Sequence, residues 1–263
     1  MDKRVALNQI GTAKARLDEY FPQYKDIIEG TSIYLLPKEN QLEERNQIAV
    51  ELGAKSKVNI ENTAAETING SKATAIIVYF ETLNQEQFVH FLFHEFGHVL
   101  SLNSNRTLYA EALKATESKN ITSFSAGFAV WGELIAEAIA FRVEGKMPDD
   151  VPSTAVIRIQ QELDAAVNVS LFNPYPFSCF CARYFEDPTI VLYRANNPDS
   201  IIGTNNCEKE IIPLLKEALS VVSMQLNQKK YWIIDRQTII SLGRIVEALF
   251  DYCFFRELFR KLI

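Results

Sequence analysis

The chain has 263 residues, of which 48% are hydrophobic, 23% charged and 11% aromatic, with 10 Gly and 9 Pro. That composition excludes a disordered, collagen-like or low-complexity chain and is ample for a core. The net charge of −6 argues against an electrostatic footprint for nucleic acid or an anionic membrane.

Residues 3–28 carry a helical pattern interrupted near Pro22, and Thr31–Leu36 reads as a strand ended by Pro37. Asn40–Leu52 has helical apolar spacing, with Glu43, Glu44 and Arg45 expected to face outward. Val58–Ile60 and Thr74–Phe80 are strand candidates; the second is β-branched and aromatic and follows the turn Asn69-Gly70-Ser71. Thr82 or Asn84 is placed to cap a helix running to about Leu102, because a side-chain oxygen there satisfies orphan N–H groups. Helical patterns follow at 106–117, about 127–144 (ending near Gly145) and 153–168. Residues 170–206 are turn-rich with a short strand at Ile190–Tyr193, and helical patterns at about 207–227 and 235–262 close the chain. Pro148–Pro152 is the best candidate boundary. The expected organisation is a core over 1–148 and a helical C-terminal region over 149–263, packed on the core as one globular unit.

The first residues hold no continuous apolar run, so a secretory leader is not expected. The uncharged stretch Ala165–Ala182 contains Asn168, Asn173, Pro174 and Pro176 and reads as loop, so no membrane span is expected there. Cys179, Cys181, Cys207 and Cys253 form no CxxC pair and read as free thiols of a reducing, cytoplasmic compartment.

The three histidines, His90, His94 and His98, fall within nine positions, and residues 94–98 read His-Glu-Phe-Gly-His. On a helix, His94 and His98 are one turn apart and face the same way, so their imidazoles can hold one metal ion. Glu95 is rotated about 100° around the axis, which suits a general base acting on a metal-activated water and not a ligand. Phe88, Phe91, Leu92, Phe93, Phe96, Val99 and Leu100 make this helix apolar on nearly every side, so it is expected to be buried. Buried polar groups there need a metal or each other as partners. His90 lies about 12 Å along the helix from His98 and is assigned a supporting or packing role beside the site.

No His lies outside residues 90–98, so the third protein ligand is expected to be a carboxylate or, less readily, a Cys. Ser101 and Ser104 stand where an extended metzincin motif has Gly and His, which excludes that class. The segment Trp131-Gly-Glu-Leu-Ile-Ala-Glu-Ala-Ile-Ala-Phe sets Glu133 and Glu137 one turn apart on an apolar helix, where buried carboxylates call for a partner. Glu111 is a further alternative. With no distal His available, Arg106, Tyr109, Tyr175 and Tyr193 are the candidate oxyanion donors.

A His-Glu-x-x-His helix followed by a helix bearing Glu-x-x-Ala-Glu resembles the gluzincin metallopeptidases. Over about 74–143, the order of strand, polar turn and His-Glu-Phe-Gly-His helix is similar to the ImmA/IrrE-type minimal gluzincins. The resemblance implies an α+β, zincin-like fold, with a small, mostly antiparallel sheet packed on the active-site helix and a predominantly helical C-terminal part. It implies Zn2+ held by His94, His98 and Glu133, with Glu137 supporting a ligand His; Glu137 stands where Asp or Asn is more usual. The implied activity is peptide-bond hydrolysis by a metal-activated water with Glu95 as general base, on a peptide or protein substrate. The alternative is a non-catalytic binding or regulatory module that retains the zinc site; the intact Glu95 favours catalysis. Thr74–Phe80 is either an internal strand or a sheet edge able to pair with an extended peptide.

Overall fold

A computed structural model describes residues 1–58, 60, 63–117, 123–145, 220–221, 224–228 and 232–244. The expected helix at 153–168, most of the one at 207–227, the strand Ile190–Tyr193, the four cysteines, the boundary at Pro148–Pro152 and residues beyond 244 lie outside this set. The described residues form two compact units. One is Met1–Asn103 with Ile139–Gly145; the other is Ser104–Ala138 with the described segments after residue 219.

In the first unit, Asp2 accepts a hydrogen bond from the Arg4 N–H at 2.8 Å and so caps helix α1 (Lys3–Tyr20). Pro22 interrupts the helical run as expected: a 3₁₀ turn at Pro22–Tyr24 leads into α2 (Lys25–Gly30). Strand β1 (Ser32–Leu35), α3 (Gln41–Leu52), β2 (Ala65–Asn69) and β3 (Thr74–Val78) follow. The hairpin turn between β2 and β3 presses on the end of α3, where Lys72 N–H donates to the Leu52 carbonyl at 3.0 Å. A side-chain carbon at Gly70 would sit 2.0 Å from that carbonyl oxygen, so the close approach requires glycine.

The sheet order is β1-β3-β2. β3 runs antiparallel to β2, with Ile76 opposite Thr67, and parallel to β1, with Ala75 opposite Ser32. The sheet is therefore mixed and not mostly antiparallel. The connection through α3 leads into β2, which runs back opposite to β1, and the hairpin then returns the chain so that β3 runs with β1. Ala75, Ile76, Ile77 and Val78 are all 0% exposed, as a central strand covered on both faces should be. Thr74–Phe80 thus resolves to an internal strand, and among the described strands β1 and β2 form the edges. Val58 is an exposed bend and Ile60 is outside any strand, so no strand forms at those two described residues.

One sheet face packs against α3 through a core of Leu36, Ile48, Ala49, Leu52, Ile68, Ala75, Ile77 and Tyr79. Arg45, expected to face outward, is instead 4% exposed. Its guanidinium grips both oxygens of Glu66 on β2, Nε at 3.2 Å and Nη2 at 3.1 Å. Lys57 Nζ at 2.9 Å and the Tyr79 hydroxyl at 2.7 Å complete the cage. Burial alone would raise the Glu66 carboxyl, but the hydrogen bonds from Arg45, Lys57 and Tyr79 outweigh it and hold the group below its usual range. The same burial, followed by the Glu66 contact, pushes the Tyr79 hydroxyl up.

Helix α4 (Gln85–Ser104) meets β2 from the opposite face, at Thr67. Asn84 starts it: Gln87 N–H donates to Asn84 Oδ1 at 2.9 Å, and Asn84 N–H donates to Gln87 Oε1 at 3.1 Å. This reciprocal pair is a capping box. Thr82 instead donates its hydroxyl to the Tyr79 carbonyl.

The second unit contains α5 (Arg106–Glu117), α6 (Ser123–Glu144) as far as Ala138, and a helix over 236–244. The last crosses α6 backbone to backbone. A side-chain carbon at Gly127 would lie 1.8 Å from the Ile239 carbonyl oxygen, and one at Gly243 the same distance from that of Ser123. Asn105 anchors the incoming segment, donating to the Trp232 carbonyl and accepting from the Ile234 N–H, each at 3.0 Å. Helix α6 is long and apolar enough to cross a membrane by length and composition, but 67% of its apolar window is buried within the protein. Trp131, Leu134, Ile135, Ala136, Ile139 and Ala140 are all buried, which fits a core helix.

Candidate metal centre

The capping box at Asn84 sets the phase of α4, and the apolar face of Phe88, Leu92, Phe93, Phe96, Val99 and Leu100 is buried throughout. That burial fixes where the remaining side chains point. His94 and His98, one turn apart, bring their Nε2 atoms to 3.1 Å, with ring centroids 4.8 Å apart and planes at 81°. Two ligands held 2.0–2.1 Å from one tetrahedral zinc would lie about 3.3 Å apart, so the imidazole pair fits a shared metal ion. Both rings are half-buried, whereas Glu95 is only 6% exposed. Potential ligand atoms of His94, Glu95 and His98 all lie within 4.8 Å of one another. This group can hold a metal ion.

The carboxylate of Glu95 is tied to the sheet. Thr67 Oγ1 on β2 lies 2.7 Å from Glu95 Oε2 and 3.1 Å from the Glu95 backbone carbonyl oxygen. Sequence reasoning missed Thr67 because it missed β2. Ala-Glu-Thr-Ile-Asn lacks the density of β-branched and aromatic residues that marked β3. The turn Asn69-Gly70-Ser71 was the available signal, since a turn ahead of one strand implies a strand before it.

His90 Nδ1 lies 3.3 Å from the buried Glu144 Oε2, and its ring packs against Phe141 at 5.8 Å. Both partners belong to the last turn of α6, within the first unit. Glu133 and Glu137 lie on the part of α6 in the second unit; Glu133 is half-buried and Glu137 is 5% exposed. Steps of four and seven residues put Glu133, Glu137 and Glu144 on one face of α6. Glu111 is half-buried and paired with Arg236, which also stacks over Phe124 at 4.7 Å. Of the candidate oxyanion donors, Arg106 is exposed, Tyr109 packs near Phe128, and Tyr175 and Tyr193 lie outside the described residues.

No known protein family, curated protein or solved structure matches the chain.

Proposed function

We propose that this chain is a zinc-dependent peptidase of gluzincin type. The observation that carries the reading is the His94–His98 pair, Nε2 to Nε2 at 3.1 Å, clustered with Glu95 on a buried helix. His94 and His98 would supply two ligands to a zinc ion, and the order of the two motifs assigns Glu133 as the third. Support for Glu133 comes from the order of the His-Glu-x-x-His and Glu-x-x-Ala-Glu helices. By the same resemblance Glu137 would support a ligand His, fixing that ring's tautomer and orientation. A zinc ion held by these residues would acidify a bound water toward neutral pH and act as a Lewis acid on the scissile carbonyl.

Glu95 takes the proton of the attacking water and delivers it to the departing amine. His90, braced by Glu144 and Phe141, steadies the helix one turn before the first ligand. β2 pairs with β3 on one side, and no described strand pairs with its other side. An extended substrate segment would add to that edge, beside the strand that holds Glu95.

The test combines metal analysis with peptide cleavage. Protein purified without chelator is expected to carry about one equivalent of zinc and to cut a mixed peptide pool. Glu95→Gln should retain the zinc and lose cleavage, while Glu133→Gln should lose the zinc. Absence of zinc, or a Glu95→Gln variant as active as wild type, would sink the proposal. Zinc without cleavage would favour a regulatory or binding module.

A further inference from the structure

We infer that Thr67 is a positioning residue for the general base, an inference that rests on the hydrolase reading above. A glutamate next to a metal ligand has three rotatable side-chain bonds, and a base that wanders loses rate. Here the carboxylate is held by a donor with little freedom of its own. Thr67 is β-branched, so its side chain is stiff about the first bond. Its backbone is fixed in register, opposite the fully buried Ile76 on the central strand. The 2.7 Å contact engages Glu95 Oε2 alone, leaving Oε1 to accept a proton from water.

The second contact explains how the base is released. One hydroxyl hydrogen faces two acceptors on the same residue, the carboxylate at 2.7 Å and the backbone oxygen at 3.1 Å. When the carboxylate swings to deliver its proton, the hydroxyl rotates onto the carbonyl and is not left unsatisfied. The hydroxyl hydrogen stays bonded to Thr67 Oγ1 throughout and only changes acceptor. Holding and release are thus built from one hydroxyl.

The experiment uses zinc-loaded full-length protein, with acetohydroxamate as a probe that binds zinc and shares a hydrogen with the base. Thr67→Val removes the hydroxyl and keeps the shape. It is expected to keep one equivalent of zinc, to lower kcat about tenfold with KM little changed, and to weaken acetohydroxamate about as much, the worth of one hydrogen bond. Thr67→Ser should restore both to within about twofold. In a Glu95→Gln background, Thr67→Val should have no further effect on acetohydroxamate. Should Thr67→Val fold poorly, Thr67→Ala serves the same comparison. The inference is overturned if zinc-loaded Thr67→Val matches wild type, if Thr67→Ser fails to rescue, or if the effect persists without Glu95. Absence of zinc from the wild-type protein overturns the hydrolase reading and this inference together, so the two failures are distinguishable.

Discussion

Two buried carboxylates flank one strand, and they are treated in opposite ways. Glu66, on the α3 face of the sheet, receives Arg45 on both oxygens together with Lys57 and Tyr79. Glu95, reached from the other face through Thr67, receives a single hydroxyl on one oxygen and keeps two imidazoles close by. Adjacent residues of β2 serve both groups, because successive side chains on a strand point to opposite faces. A carboxylate saturated with cationic donors has no lone pair left for chemistry and acts as a rivet. One with a single neutral donor keeps lone pairs open, as the proposed role of Glu95 requires. Burial alone does not distinguish them, since Glu66 is 9% and Glu95 6% exposed; the number and charge of the donors does.

The comparison can be broken most decisively at Glu95. Glu95→Gln is expected to cut peptide hydrolysis by about a hundredfold to ten-thousandfold, with zinc content and unfolding midpoint little changed. If that variant unfolds readily and still turns over, the two carboxylates have been assigned the wrong way round. Next comes Glu66→Gln, or Arg45→Met. Removing one member of a buried pair costs about 3–5 kcal/mol, read from urea unfolding, while the residual rate per folded molecule should hold.

The same pair gives a pH signature. The folded Glu66 carboxyl lies below its ordinary 4.5, so its contribution to stability is present above that value and is lost as pH falls through the lowered one. Unfolding midpoints followed from neutral to acid pH should therefore fall less steeply in Glu66→Gln than in wild type. An identical slope would remove Glu66 as the acid-sensitive rivet.

Smaller effects sharpen the contrast between local and long-range order. Gly127→Ala drives a methyl into the Ile239 carbonyl and should cost about 1–3 kcal/mol, or more if the helices cannot separate. A thermal midpoint unchanged from wild type would contradict so close a crossing. Asn84→Ala breaks the capping box of α4 at a cost of about 1 kcal/mol. Asn84→Asp should keep the wild-type midpoint; if Asn84→Ala does not lower it, the cap is not what starts the helix.

Much of the first unit was legible in the chain. Pro22 split the first helix where expected, Pro37 followed β1, and Asn84 began the helix that carries the three histidines. Each of these is decided by backbone groups within a few residues, where propline geometry or a capping oxygen leaves little choice. The spacing places Arg45 outward, where a charged residue normally faces solvent. Its burial depends on Glu66, 21 residues away. β2 escaped notice because its residues are ordinary, and its strand character comes from β3 beside it. The sheet's mixed direction likewise depended on how the long connection closes.

The sequence by itself determined that His94 and His98 share a helix face, since an i,i+4 spacing and an apolar surround allow nothing else. It determined that the three histidines supply no more than one compact imidazole cluster. Only the tertiary structure decided which carboxylate is saturated with donors and which receives a single hydroxyl. That choice is made by Thr67 meeting Glu95 across 28 residues of chain, and by Arg45 meeting Glu66 across 21. Helical periodicity is written into neighbouring residues, whereas a hydrogen bond between a strand and a helix exists only once the sheet has closed around it.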